Sequence, residues 1–246
     1  MADRKKVLIM ASGSGSNAEA LVRSIRLDNL PVDFYCASDK SGDKAGVYAR
    51  MKQKLSIETQ YIPSPLIKTD GAGVFPKPRD WSNLIKFLEK HNFDLIVLAG
   101  YMLILPPQIA SQYKIINIHP AITPFAHVGA TDAYADALRD GDTATGCTVH
   151  HVIPQVDAGE RIAQIGFMIP ENINLDTLKQ IGLTFEHQLY PAVVKQELFY
   201  SKLDLMVIAG NASRELARHR LPWSEILIPE NRKVFDTWEY TGRGGR

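Results

Sequence analysis

The run Val7-Leu8-Ile9-Met10-Ala11 passes directly into Ser12-Gly13-Ser14-Gly15-Ser16-Asn17, and the helical spacing of Ala20, Leu21 and Ile25 follows at once. No other stretch constrains the fold as strongly. Five apolar residues without alternation suit a strand covered on both faces, as in the middle of a parallel sheet. Parallel strands need a crossover, usually a helix, so the chain is expected to be α/β. The turn itself offers backbone N–H groups and the positive end of a helix dipole, which suits a phosphate. Gly13-x-Gly15-x-x-Ala18 also fits the dinucleotide fingerprint, and Asp39, after an expected strand over 32–37, stands where a ribose-binding acid would. A mononucleotide phosphate, a dinucleotide and a plain glycine turn all stay open on this evidence.

The rest of the chain continues the alternation. Strands are expected at 57–62, 94–100, 115–119, 147–153 and 161–169, and helices at 45–54, 81–91, 108–112, 134–138 and 175–197. Residues 63–78, rich in Pro and Gly, are expected to be a surface loop, ending in Lys77-Pro78-Arg79-Asp80. Beyond residue 200, a strand at 203–208, a short helix at 212–219, an extended piece at 223–228 and a disordered tail at 241–246 are expected. The domain reading is a body over residues 1–200 and a C-terminal extension of unknown role over 201–246. The fold class is an open, mostly parallel, Rossmann-like sheet with helices on both faces.

Within this frame the stretch Ile115-Ile116-Asn117-Ile118-His119-Pro120 stands out. Strand side chains alternate, so Asn117 and His119 share a face, and Pro120 stops the ladder. Ligands of open α/β sheets sit at the strands' C-terminal ends, where a carboxamide donor beside an imidazole can handle a carbonyl group. The alternative is a pair of satisfied polar residues capping a strand.

Net charge and cysteine usage exclude several classes. A balance of +1 gives no global field for nucleic acid or an anionic membrane. The two cysteines, Cys36 and Cys147, have no metal or disulfide-framework spacing, and no apolar run nears the roughly 20 residues of a membrane span. A cytoplasmic location is expected. His119, His150 and His151 are not spaced as a zinc site, since adjacent strand residues face opposite ways. His150 is read as structural or as a supporting residue.

Five motifs in order then carry a resemblance. They are Gly13-Ser14-Gly15-Ser16-Asn17; Leu98-Ala99-Gly100-Tyr101-Met102 with Ile104-Leu105; Asn117-Ile118-His119-Pro120; Thr148-Val149-His150 followed by Asp157-Ala158-Gly159; and Glu186-His187 with Tyr190-Pro191. Over about residues 5 to 197 the chain resembles the phosphoribosylglycinamide formyltransferases, folate-dependent enzymes of purine biosynthesis. The resemblance implies that Gly15, Ser16 and Asn17 hold the ribonucleotide phosphate and that Glu186 meets the glycinamide amine. It implies that Met102, Leu103, Ile104, Leu105, Asn117, Ile153, Pro154, Gln155, Val156 and Asp157 receive the folate of 10-formyltetrahydrofolate. Asn117, His119 and Asp157 would be the catalytic trio, with no metal, and with small molecules rather than nucleic acid or membrane as partners. A homodimer is compatible with it.

The chemistry needs such a trio. An amine attacks the formyl carbon, an oxyanion develops, and a proton passes from the incoming nitrogen to the departing N10. Asn117 can donate to the oxyanion, and His119 can carry charge and proton, with Asp157 raising its pKa and orienting its ring. The chain departs from the family's pattern after Pro120, where it reads Ala121-Ile122-Thr123-Pro124-Phe125-Ala126-His127-Val128-Gly129 in place of Ser-Leu-Leu-Pro and a Pro-Gly turn. A family arginine aligns loosely with Lys77 or Arg79. The competing readings are a formyltetrahydrofolate deformylase, to which the loop with Gly129, Ala130 and Tyr134 has some likeness, an NAD(P)-dependent oxidoreductase, and a silent folate- or nucleotide-binding protein.

Overall fold

The computed structural model describes residues 3–42, 44–67, 78–122, 127, 129–130 and 132–200, together with the backbone of 224–227. The expected strand at 203–208, helix at 212–219 and tail at 241–246 lie outside the described residues, as does Lys77. The chain divides into two compact units, residues 1–115 and 116–246.

In the first unit four strands run parallel in the order β3-β2-β1-β4: β1 (Lys5–Met10), β2 (Val32–Ser38), β3 (Thr59–Tyr61) and β4 (Leu95–Leu98). β1 lies between β2 and β4, which is why Val7, Leu8, Ile9 and Met10 are all buried and the strand shows no polar alternation. Helices α1 (Ser16–Leu27), α2 (Val47–Leu55), α3 (Ser82–His91) and α4 (Pro107–Gln112) supply the crossovers and the connection after β4. α1 buries Ala18, Leu21, Val22 and Ile25, a stripe at spacings of three and four.

One charged group in this core is Glu19 on α1. Its carboxylate takes Arg50 at 2.5 Å, Arg23 at 2.9 Å and Lys54 at 3.0 Å, so that α1 is tied to α2. Burial opposes ionisation here, but the three cationic donors outweigh it and hold the pKa down at about 2. A depressed folded pKa contributes stability above the ordinary glutamate value of 4.5, and that contribution is lost as pH falls toward 2. Glu19→Gln is therefore expected to lower the urea midpoint at neutral pH and to differ less from the parent near pH 3. A difference that persists undiminished in acid contradicts this account of the cluster.

The second unit is antiparallel, in the order β5-β6-β7-β8: β5 (Ile115–His119), which starts at the boundary, β6 (Ala144–His151), β7 (Arg161–Met168) and β8 (Ser224–Leu227). α5 (Ala133–Asp140) begins where the Asp132 carboxylate accepts the Ala135 amide, and α6 (Leu175–Phe199) where Asn174 accepts that of Thr177. α6 buries Leu178, Ile181, Phe185, Leu189, Val193 and Val194, and Phe185 stacks on Phe167 of β7 with ring centroids 5.0 Å apart. The Tyr190 hydroxyl donates to the Ile116 carbonyl at 3.1 Å, which fixes β5 against this helix. Among the described residues no helix is long and apolar enough to cross a membrane.

Candidate active site

Asn117 and His119 lie two apart on β5 and so share a face, as their spacing predicts. Asn117 is half-buried, and His119 is only 4% exposed. The antiparallel register sets Asn117 opposite His150 and His119 opposite Thr148 on β6. Cross-strand neighbours on one face are in contact range. Accordingly, Asn117 Nδ2 stands 3.3 Å from His150 Nε2. His150 Nδ1 lies 2.9 Å from the carbonyl of His151, which can only accept, so Nδ1 carries the hydrogen. Neutral, His150 then accepts from the Asn117 amide; charged, it donates to the acid described next.

That acid is Asp157, in the turn between β6 and β7. Its φ of +50° lies in the left-handed region, which aspartate tolerates better than most residues. Its Oδ2 accepts the Gly129 amide at 2.8 Å and lies 3.6 Å from His119 Nδ1, while Oδ1 lies 3.5 Å from His150 Nε2. The far side of the His119 ring is occupied as well, with Nε2 3.0 Å from the His127 carbonyl. The structure thus brings Asn117, His119 and Asp157 into one polar cluster and adds His150, which the sequence suggests only as support.

Burial and neighbouring charge act in opposite directions in this cluster. Burial opposes ionisation of Asp157, but the His150 contact, the pull of His119 whenever it is protonated, and the Gly129 amide outweigh it, so the carboxyl titrates below its usual range. Asp157 does raise the His119 pKa, as expected, but the net shift is downward. Burial pushes the imidazole below its ordinary value, and the opposing pull of Asp157 and of the His127 carbonyl recovers only part of that. The resting site therefore pairs a neutral imidazole with an ionised acid. Since Nε2–H is committed to a carbonyl, Nδ1 is the lone-pair nitrogen, and it faces the carboxylate that would stabilise it once protonated.

Residues 5–194, which include this whole cluster, match the Formyl transferase family. The chain belongs to the formyl transferase family. This formyl transferase is 35% identical over 204 residues to the phosphoribosylglycinamide formyltransferase of Bacillus subtilis (strain 168), covering 79% of this chain and 95% of that protein. It is also similar to the crystal structure of phosphoribosylglycinamide formyltransferase from Bacillus halodurans, with a TM-score of 0.67, 32% identity, and 80% and 97% of the two chains covered. Glycinamide ribonucleotide transformylase 1 of Geobacillus kaustophilus gives 0.66 and 32%, over 80% of this chain and all (100%) of that one. The open, Rossmann-like sheet expected from the sequence is thus the formyl transferase fold.

The other expected site residues of this formyl transferase fall in both units. In the first, Gly15 has φ +76° and opens α1. A Cβ there would lie 2.7 Å from Val47 Cγ2, so glycine is needed both for the backbone and for the approach of α2. The Val47 amide donates to the Gly13 carbonyl at 3.1 Å and Arg50 Nε to that of Ser14 at 2.9 Å, which braces the turn. Ser16 is half-buried and Asn17 buried. Asp39, the acid of the dinucleotide reading, instead takes the Ser12 hydroxyl at 2.5 Å. Met102 is 52% exposed, Leu103 and Ile104 are half-buried, and Leu105 is buried. Arg79 donates to the Ser64 carbonyl at 2.7 Å.

In the second unit, Ile153, Pro154 and Gln155 are exposed and Val156 is half-buried. Glu186 is 5% exposed and accepts the Tyr134 hydroxyl at 3.0 Å. Gly182, one turn earlier on α6, makes that pairing fit: a Cβ there would lie 2.1 Å from the Tyr134 hydroxyl. A glycine inside a long helix costs about 1 kcal/mol, and this is the one sequence signal that could have announced the close approach. His150 stands in the Thr148-Val149-His150 motif, which suggests it only as a supporting residue.

Proposed function

We propose that this formyl transferase moves the formyl group of 10-formyltetrahydrofolate to the amine of 5-phosphoribosylglycinamide. The observation that carries the reading is the neutral His119 Nδ1 facing the ionised Asp157 at 3.6 Å, next to the Asn117 amide, in a chain whose relatives are named for this transfer. In the reaction as proposed, the amine lone pair attacks the formyl carbon, the carbonyl π electrons move onto oxygen, and an Asn117 N–H donates a hydrogen bond to the resulting oxyanion. His119 Nδ1 takes a proton from the attacking nitrogen, held as imidazolium by Asp157, and returns it to N10 as the C–N10 bond breaks. No bond to the protein forms.

Gly15, Ser16 and Asn17 are assigned to the ribonucleotide phosphate. Met102, Leu103, Ile104 and Leu105, and Ile153, Pro154, Gln155 and Val156, are assigned to the folate. Glu186 is assigned to the glycinamide amine, which would displace the Tyr134 hydroxyl. Residues 1–200 are taken as the catalytic body, acting in the cytoplasm on small molecules.

The test is consumption of 10-formyltetrahydrofolate with and without phosphoribosylglycinamide. Expected is one formylated amine per folate, dependent on the amine. Formate released at the same rate without the amine would make the protein a deformylase, and saturable turnover of NAD(P) would overturn the reading altogether. The phosphate assignment has its own check. Gly15→Ala combines an unfavourable left-handed backbone with the Val47 clash, and KM for the ribonucleotide is expected to rise about tenfold or more, with kcat little changed. An unchanged KM removes the turn from phosphate binding.

A further inference from the structure

His119 can take a proton on Nδ1 only while its other nitrogen keeps its hydrogen. What enforces this is the His127 carbonyl, 3.0 Å from Nε2, because a carbonyl accepts and never donates. Where that carbonyl points depends on an unusual backbone. His127 has φ +52°, a region that costs a non-glycine residue on the order of 1 kcal/mol or more, and such conformations persist only where the surroundings over-determine them. Here the determining contact is its own side chain. His127 Nε2 lies 2.7 Å from Asp142 Oδ2, and the two side chains are only 10% and 5% exposed. Asp140 Oδ2 stands further off, 3.9 Å from Nδ1, and is itself engaged by Arg139.

Asp142 is in turn held by the fold, on the tight turn between α5 and β6, where its amide donates to the Ala137 carbonyl at 3.0 Å and Gly141 takes a positive φ. Asp142 thus fixes the His127 ring, the ring fixes the backbone, and the backbone carbonyl fixes the His119 tautomer. The Ala130 amide donates to the same carbonyl at 3.0 Å, which adds a second constraint on its direction.

We propose that Asp142 and His127 are a positioning pair for the formyl transfer reaction, setting the Nε2–H tautomer and the ring orientation of His119 without touching substrate. The proposal rests on the reading of His119 Nδ1 as the proton-transfer atom. Neither residue belongs to the set of site residues expected from sequence, and His127 lies in the loop where the chain departs from the family pattern.

The test pairs a spectroscopic readout with kinetics, so that it does not depend on identifying the reaction. Nitrogen-15 NMR of the His119 ring, above its pKa and without ligand, is expected to show the Nε2–H tautomer in the parent and a mixture of tautomers in Asp142→Ala. Asp142→Asn keeps an acceptor oxygen for His127 and is expected to retain the parent tautomer. His127→Asn tolerates the left-handed backbone while losing the ring, and is expected to behave like Asp142→Ala should the latter fold poorly. In the transfer assay, Asp142→Ala should lower kcat about 10–100-fold, the size that orienting partners carry for ligating histidines, with both KM values within about twofold. Asp142→Asn should recover most of the rate. A parent-like tautomer in both Asp142→Ala and His127→Asn overturns the proposal whatever the activity does. So does a changed tautomer with undiminished kcat. If the parent transfers no formyl group at all, the proposed reaction fails while the tautomer result still decides the positioning.

Discussion

Asn117→Ala is expected to lower kcat by about 10²–10³-fold, equivalent to roughly 2.7–4 kcal/mol, while leaving both KM values nearly unchanged. The asymmetry follows from when the interaction matters. The formyl oxygen is a weak acceptor in the bound substrate and a strong one once the amine has added, so a donor aimed at it stabilises mainly the transition state. One Asn117 N–H faces His150 Nε2 at 3.3 Å, which leaves the other for the oxyanion. The folding cost should be small, about 1 kcal/mol for one partly exposed hydrogen bond. Steady-state kinetics with both substrates, alongside thermal unfolding, separates the two effects. A loss below tenfold, or one confined to KM, would place the oxyanion elsewhere.

The second large effect is expected at Asp157. Asp157→Asn should reduce kcat on the order of 10²–10⁴-fold, because the imidazolium formed on His119 loses the charge that stabilises it in a buried site. The substitution is informative because so little else changes. Asparagine accepts the φ of +50° as readily as aspartate does, and its oxygen can still take the Gly129 amide. Asp157→Glu keeps the charge but pays for its backbone and its extra methylene, and should lose less activity than Asp157→Asn. The reverse order would mean that reach and shape at this position matter more than charge.

How much of this was legible in the sequence depends on how local each cause is. The strand, glycine turn and helix at residues 5–27 were readable because each rests on neighbours in the chain: an unbroken apolar run, a glycine free to adopt φ +76°, and an apolar stripe at helical spacing. The shared face of Asn117 and His119 follows from the period of a strand. That Asp157 meets His119 does not, and it was expected only through the family resemblance, since a turn after β6 returns the acid. The pairing of Asn117 with His150 depends on an antiparallel register that no single strand encodes. The burial of His119 was also invisible, and it reverses the sign expected for its pKa. The left-handed His127 is not legible in the sequence, because histidine adopts that backbone only in a minority of cases and Asp142 holds it there from another turn. Glu186 was rightly placed on its helix, but its cover by Tyr134 depends on the space left at Gly182.

If a neutral imidazole beside an ionised carboxylate carries the proton, kcat/KM against pH for the parent and for Asp157→Asn shows it most directly. Besides the ionisation of the substrate's own amine, the parent profile should contain an enzyme ionisation below the ordinary histidine value of 6.5, since His119 must be unprotonated to receive the amine's proton. Asp157 raises that pKa, so its neutralisation should shift the enzyme ionisation lower still while the plateau falls. With the amine's ionisation fixed from the free substrate, an enzyme ionisation at or above the ordinary histidine value in the parent, or one that stays in place in Asp157→Asn, would contradict the account.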